Sequence, residues 1–364
     1  MEQGKKAQIE PIASESPALP IGRKLRIAQV APLWAKIPPV TYGGIELVIK
    51  LLIDELVDQG HEVTLFGTGD SITSAKLRAI TPYSVLDAMA RGEAGSYEYF
   101  AGACVADALI AAGEFDVIHF HIGNEFIPMS QLTQTPSVHT LHTFLIQDDE
   151  WVLRRYPKVP VAAISKFQVR SIEREIPVIY NGCDFDAYQP GLEAGKYLAF
   201  LGRMSHDKNP LDAIRVAKQL GMPIVLAGKA QSAKEERYFQ EQIVPLIDNE
   251  SVRFIGLVNH EQKNELLKNA AALLFPVQWD EPFGLVMIES MACGTPVVAH
   301  NLGSVPEVID AGVTGYYSDS MEALGDLVLE ALKLNRARVR EHARSRFSYQ
   351  RMAADYLRLY QSLV

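Results

Sequence analysis

The chain has 364 residues, 48% of them hydrophobic and 22% charged, and a formal net charge of −9. At roughly 150 residues per domain that length predicts two domains, and the composition excludes wholesale disorder, a collagen-like repeat and a disulfide scaffold. Nucleic acid is disfavoured as a partner. Residues 21–185 carry 14 Lys and Arg against 19 Asp and Glu, and residues 186–364 carry 19 against 22, so neither half has the basic footprint that phosphate backbones demand.

The remaining composition points to the compartment. Cys104, Cys183 and Cys293 are odd in number and scattered, the usage expected of reduced thiols. No apolar run reaches the roughly 18 residues of a membrane span, and the first twenty residues are polar and mixed in charge, unlike a signal peptide. The expected setting is cytoplasmic. An anionic ligand would be held there by a few placed cations, not by a general field.

Residues 1–21 lack periodicity and read as a loose tail. From Leu25, apolar runs of strand length alternate with helical periods: Leu25–Ala31, Glu62–Phe66, Asp116–His121, Ser137–Thr143, Pro160–Ile164 and Pro177–Tyr180. Between the first two, Ile45, Val48, Leu52 and Leu56 form one helical stripe, and Gly60 is placed as its C-terminal stop. After a loop near 184–196 the alternation restarts with Tyr197–Leu201, Pro223–Ala227, Val252–Ile255, Ala272–Pro276 and Pro296–Ala299. Continuous apolar strands alternating with helices predict parallel sheets covered on both faces. The fold class is therefore α/β, with two doubly wound, Rossmann-like halves at 22–185 and 186–345 facing each other across a cleft. The final stretch, 346–364, places Met352, Tyr356, Leu359, Tyr360 and Leu363 on one helical face, which either completes the second domain or crosses back to the first.

The segment richest in chemistry is Glu281-Pro-Phe-Gly-Leu-Val-Met-Ile-Glu289. It follows a buried-type strand and opens an apolar helix expected to run to about Cys293. Phe283, Gly284 and Leu285 should therefore present free N–H groups at a helix start, a ready anion site. Glycine at 284 lets a phosphate approach the backbone. Glu289, more than a turn inside, suits ribose-like hydroxyls. Glu281, in the loop before the helix, points towards whatever lies beyond the phosphate. A lone pair of glutamates would more often be solvated surface carboxylates, but their placement around a glycine-bearing helix start after a buried-type strand favours the functional reading.

At the end of the first strand of the second half, Gly202-Arg203-Met-Ser-His-Asp-Lys208 supplies a planar guanidinium and a point charge, both suited to phosphate oxygens. In the first half, Gly43-Gly44-Ile45 enters the first helix and suits close approach of an anion or sugar equally with a simple capping turn. His119 and His121 share a strand face as two metal ligands would, but without a carboxylate- or cysteine-rich partner motif, so no metal site is assigned and buried structural histidines are the expected reading. His142 looks the most exposed to the cleft, followed by Thr143-Phe144 and a polar loop carrying Asp148, Asp149 and Glu150. The phosphate loop of ATPases, the dinucleotide fingerprint and the nucleophile elbow of hydrolases are all missing from the sequence.

Taken together these residues resemble a family 4 retaining glycosyltransferase of the two-domain GT-B architecture. The likeness is carried by Glu281–Glu289 with Pro282-Phe283-Gly284, by Gly202-Arg203 and Lys208, by Asn181-Gly182-Cys183-Asp184 (where the family usually has valine at 183), and by Ala292-Cys-Gly-Thr-Pro-Val-Val. It implies a nucleotide diphosphate sugar as donor, UDP-sugar being expected, and no cofactor or metal. Arg203, Lys208 and the N–H groups of Gly44, Gly284 and Leu285 would hold the diphosphate, with Gly43 beside them. Glu289 would bind the ribose, and Gly256, Leu257 and Val258 would line the base. Glu281 would orient sugar hydroxyls, and His142 would contact the sugar from the other domain. The C-terminal stretch would cross back to the first domain. The acceptor stays open (a saccharide, a lipid-linked molecule or a small molecule), as does peripheral membrane contact. Competing readings are a nucleotide-sugar epimerase or hydrolase on the same architecture and a non-catalytic nucleotide-sugar binding protein.

Overall fold

A computed structural model describes residues 23–40, 43–191, 193 and 195–364, so the expected tail at 1–21 lies outside the described residues. Among the described residues, twelve strands form two sheets of six. The first comprises β1 (Arg26–Val30), β2 (Glu62–Thr68), β3 (Lys76–Thr81), β4 (Val117–Phe120), β5 (Ser137–Leu141) and β6 (Val161–Ala163), in the order β3-β2-β1-β4-β5-β6. The second comprises β7 (Tyr197–Leu201), β8 (Ile224–Ala227), β9 (Val252–Phe254), β10 (Ala270–Phe275), β11 (Val297–His300) and β12 (Gly315–Ser318), in the order β12-β11-β10-β7-β8-β9. Every pairing is parallel. Central strands such as β4, β5 and β10 are buried along their whole length, as a parallel sheet covered on both faces requires.

Two of these strands escape a reading based on apolar runs. β3 (Lys-Leu-Arg-Ala-Ile-Thr) is a half-exposed edge strand, and β12 (Gly-Tyr-Tyr-Ser) is short and mostly half-buried. Conversely, Pro177–Tyr180 does not become a strand. It makes a single bridge, Val178 to Ala163, held by two backbone hydrogen bonds, before the chain leaves for the second domain.

The stripe Val48, Leu52 and Leu56 is buried on the helix Gly44–Asp58, and Gly60 stops that helix with φ +85°. The C-terminal helix Tyr349–Leu363 packs back onto the first sheet. Met352, Ala353, Tyr356 and Tyr360 are buried in one cluster with Ile27, Leu52 and Val138. The two passes between domains touch where Cys183 and Tyr349 are joined by backbone bonding, and a Cβ on Gly182 would lie 2.5 Å from Tyr349 Cα, so only glycine admits that crossing. Among the described residues no helix is long and apolar enough to cross a membrane.

In each sheet the chain winds outward on one side and then jumps back to the centre, between β1 and β4 and between β7 and β10. Ligands of doubly wound sheets bind outside the C-terminal strand ends at such reversals. The loops after β1, β4, β7 and β10 are therefore the ones to examine.

Candidate active site

The loop after β10 carries Glu281 and ends at Gly284, which takes φ +77° and heads the helix Leu285–Ala292. The left-handed conformation there is open to glycine at little cost and strained for most other residues. Directly opposite, Gly43 and Gly44 head the helix Gly44–Asp58, and a Cβ on Gly44 would lie 2.8 Å from Leu285 Cδ1. Two glycine-headed helix starts, one from each domain, thus meet across the cleft. Their unsatisfied N–H groups and aligned dipoles favour an anion between them. Glu46, in the first turn of the helix Gly44–Asp58, is folded inward, and burial lifts its carboxyl above the ordinary range.

The two glutamates of the 281–289 segment turn out to be buried, each 7% exposed, and not solvated surface groups. They are held alike. Glu281 Oε2 accepts from Lys208 Nζ and, at 2.8 Å, from the indole N–H of Trp279. Glu289 Oε1 accepts from Lys263 Nζ and, at 3.0 Å, from the Tyr188 hydroxyl. In both, one oxygen is anchored by a lysine and an aromatic donor, and the other has no hydrogen-bond partner among the described residues. The backbone behind Glu281 is equally fixed. Gly303, at φ +66°, sits so close that a Cβ would lie 2.3 Å from Glu281 N and O, and Ser304 N–H donates to Glu281 O at 2.9 Å.

Arg203 and Lys208 lie in the loop after β7 as expected, but Arg203 is engaged by Glu235 of the helix Ala233–Tyr238. Lys208 Nζ sits 4.8 Å from the Trp279 ring centre, a position that stabilises its charge. The glycine-bearing turns after β7, β8 and β9 adjoin. Gly228 N–H donates to Gly256 O at 2.8 Å, and a Cβ on Gly228 would collide with Gly202 O. Of the three residues expected around a base, Gly256 takes φ +71°, Val258 is buried and Leu257 is exposed.

The first domain's His119 and His121 are buried, as expected of structural histidines. His142 is partly buried, with Nε2 2.9 Å from His121 Nδ1. His119 and His121 do stack, with ring centres 3.8 Å apart, but all four nitrogens are engaged: His119 by Tyr360 and Thr140, His121 by His142 and Gln29. Burial pushes His119 and His121 well below their ordinary value and His142 down to about 3, so all three are neutral near pH 7. Asp148, Asp149 and Glu150 form the first turn of a helix, Gln147–Arg155, and not a loop. Asp149 accepts from Ile146 N–H, and Glu150 is bound by Ser171 and Arg154.

The domains also meet beside the cleft, where Glu307 accepts from the N–H groups of Lys166 and Phe167 at 2.8 and 2.6 Å and from the Tyr180 hydroxyl at 3.1 Å. Sequence reasoning misses Trp279, Lys263, Tyr188 and Glu235. Lys263, Tyr188 and Glu235 are single residues on separate elements that no local pattern ties to the glutamates or to Arg203, whereas Trp279 stands two residues before Glu281 in the same loop.

Two facing doubly wound domains, with anchored carboxylates and anion-binding helix starts between them, define a GT-B-type glycosyltransferase scaffold. Residues 42–187 match the family model described as Glycosyltransferase Family 4, and residues 187–346 match the one described as Glycosyl transferases group 1. The chain belongs to glycosyltransferase family 4. It is 25% identical to a phosphatidyl-myo-inositol mannosyltransferase of Mycolicibacterium smegmatis, across 93% of this chain and 94% of the relative. Among solved structures it resembles AviGT4, a glycosyltransferase involved in avilamycin A biosynthesis, with TM-score 0.71 and 27% identity over 93% of this chain and 98% of that one. The fold is also shared with a sucrose-phosphate synthase from Thermosynechococcus elongatus, with TM-score 0.76 and 20% identity over 94% and 99% of the chains.

Proposed function

We propose that the protein is a retaining hexosyltransferase that moves a hexose from a nucleotide diphosphate sugar, UDP-sugar being the expected donor, to a hydroxyl acceptor without a metal ion. The observation that carries this reading is the meeting of the Gly44 and Gly284 helix starts beside the Lys208–Glu281 pair. In the proposed complex the diphosphate lies between the two helix starts, and Lys208 and Arg203 turn towards it. These cations and N–H groups take up the charge that develops as the phosphate leaves, the term that usually dominates such a barrier. Glu289 accepts from the ribose through its free oxygen, Gly256, Leu257 and Val258 line the base, and Glu281 orients sugar hydroxyls.

The proposed step is front-face substitution. The bond from the anomeric carbon to the phosphate oxygen breaks, the acceptor oxygen bonds to the same face, and the acceptor proton passes to the departing phosphate oxygen. A double displacement would instead need a carboxylate nucleophile on the opposite face. The candidates for it, Asp148, Asp149 and Glu150, lie in one exposed helix turn, where Asp149 and Glu150 hold local structural bonds. The test is transfer from UDP-sugars to a panel of acceptors in chelator, with the product anomer read by NMR. Retention supports the reading. An inverted product, a trapped glycosyl–enzyme adduct or product formed without any acceptor contradicts it.

A further inference from the structure

The first sheet holds a polar chain that the roles above leave unused. At the C-terminal helix the Tyr356 hydroxyl lies 2.8 Å from Thr140 Oγ1, itself 2.7 Å from His119 Nε2. His119 Nδ1 is 2.6 Å from the Tyr360 hydroxyl, to which Gln29 Nε2 donates at 3.1 Å. Gln29 Oε1 lies 2.7 Å from His121 Nε2, and His121 Nδ1 lies 2.9 Å from His142 Nε2. Gln29 and His121 are buried, at 0% and 3% exposure. The chain ends at His142 Nδ1, which is itself buried and has no partner among the described residues.

Each hydrogen placed at one link fixes the next. Gln29 Oε1 can only accept, so His121 Nε2 carries a hydrogen. His121 is neutral, so its Nδ1 is a lone pair and accepts from His142 Nε2–H. His142, also neutral, is left with a lone pair at Nδ1. Turning the Gln29 amide over reverses every link and strands an N–H at His142 Nδ1. A buried N–H without a partner is rarer and costlier than an unfilled acceptor, so the first order is the stable one.

We propose that Gln29 and His121 are positioning residues that hold His142 as an Nδ1 acceptor, so that it takes a hydrogen bond from a hydroxyl of the donor sugar. This rests on the donor site proposed above. His142 directly follows the C-terminal end of β5, the side of a doubly wound sheet from which ligands are bound, and an unfilled lone pair there selects a group that carries a hydrogen, which a sugar hydroxyl does and an ionised phosphate oxygen does not. The first domain thereby favours the sugar end of the donor and disfavours its reversal.

The first arm of the test needs no substrate. In ligand-free protein labelled at histidine with 15N, the His142 ring is expected to show a protonated Nε2 and a bare Nδ1. Gln29→Leu, which removes the acceptor, is expected to convert it to mixed tautomers. In the second arm, Gln29→Leu lowers kcat about tenfold, the worth of one hydrogen bond, with UDP affinity unchanged. The same substitution in a His142→Ala background is expected to cost nothing further. His121→Asn, which keeps a donor and an acceptor, restores part of the rate and serves if Gln29→Leu does not fold. A protonated His142 Nδ1 in the wild type, or a Gln29→Leu loss undiminished without His142, overturns the proposal. If no nucleotide sugar is bound at all, the transfer reading fails by itself, and the spectrum still decides the tautomer.

Discussion

The two walls of the cleft are built on the same strand plan and furnished with opposite chemistry. The second-domain wall is ionic: Lys208 with Glu281, Lys263 with Glu289 and Arg203 with Glu235. The first-domain wall is neutral, a run of imidazole, amide and hydroxyl groups that burial keeps uncharged. On the proposed reading, the difference teaches how a chain of net charge −9 would hold a doubly charged diphosphate. The cations, held in pairs with carboxylates, would be re-shared with it, and the opposite wall would add hydroxyl recognition without adding charge.

The sharpest way to break this contrast is on the ionic side. Glu281→Ala is expected to lower transfer about a thousandfold, since it would remove the contact proposed with the reacting sugar. Steady-state kinetics on any accepted acceptor reads this, and a loss below tenfold would remove Glu281 from the reacting centre. Lys208→Met is expected to cost about a hundredfold in kcat/KM, with part of the loss in donor binding, because the charge-assisted contact proposed with phosphate would disappear.

The neutral side is tested by pH. His119, His121 and His139 are buried and lie below the ordinary histidine value of 6.5, His139 at about 3. Between those values the unfolded chain binds more protons than the folded one, so stability is unaffected above pH 6.5 and falls as pH drops below it. Each imidazole contributes up to about 1.4 kcal/mol per pH unit. Urea midpoints at pH 7.5, 6.5 and 5.5 measure this, and equal midpoints at all three would show that these rings titrate freely. The smallest effect is at the seam between the walls. Gly44→Ala places a methyl against the movable tip of Leu285, so the donor KM should rise less than tenfold, whereas Gly44→Val should raise it further.

Much of this arrangement is legible in the sequence because it rests on local pattern. The doubly wound fold follows from fully apolar strands such as Ala-Ala-Ala-Leu-Leu-Phe of β10, and the glycine-headed helix start proposed as the anion site follows from a glycine set between such a strand and a helix. The half-exposed β3 and β12 carry no such signal. The partners of Glu289 are invisible for a different reason: Tyr188 and Lys263 reach it through tertiary contacts between elements that no spacing rule connects. His142 illustrates the same limit. Its neighbours in sequence suggest exposure, but His121, 21 residues away, covers one of its nitrogens.

The division of labour between cation and carboxylate is open to one calorimetric comparison: UDP titrated in chelator into wild type, Arg203→Ala and Glu281→Ala. Wild type should bind. Arg203→Ala should lose about tenfold to a hundredfold in affinity. Glu281→Ala should bind UDP at least as tightly as wild type, since Lys208 is released from its partner. Equal losses in the two variants, or no binding by the wild type, would contradict a diphosphate held by stored cations between two helix starts.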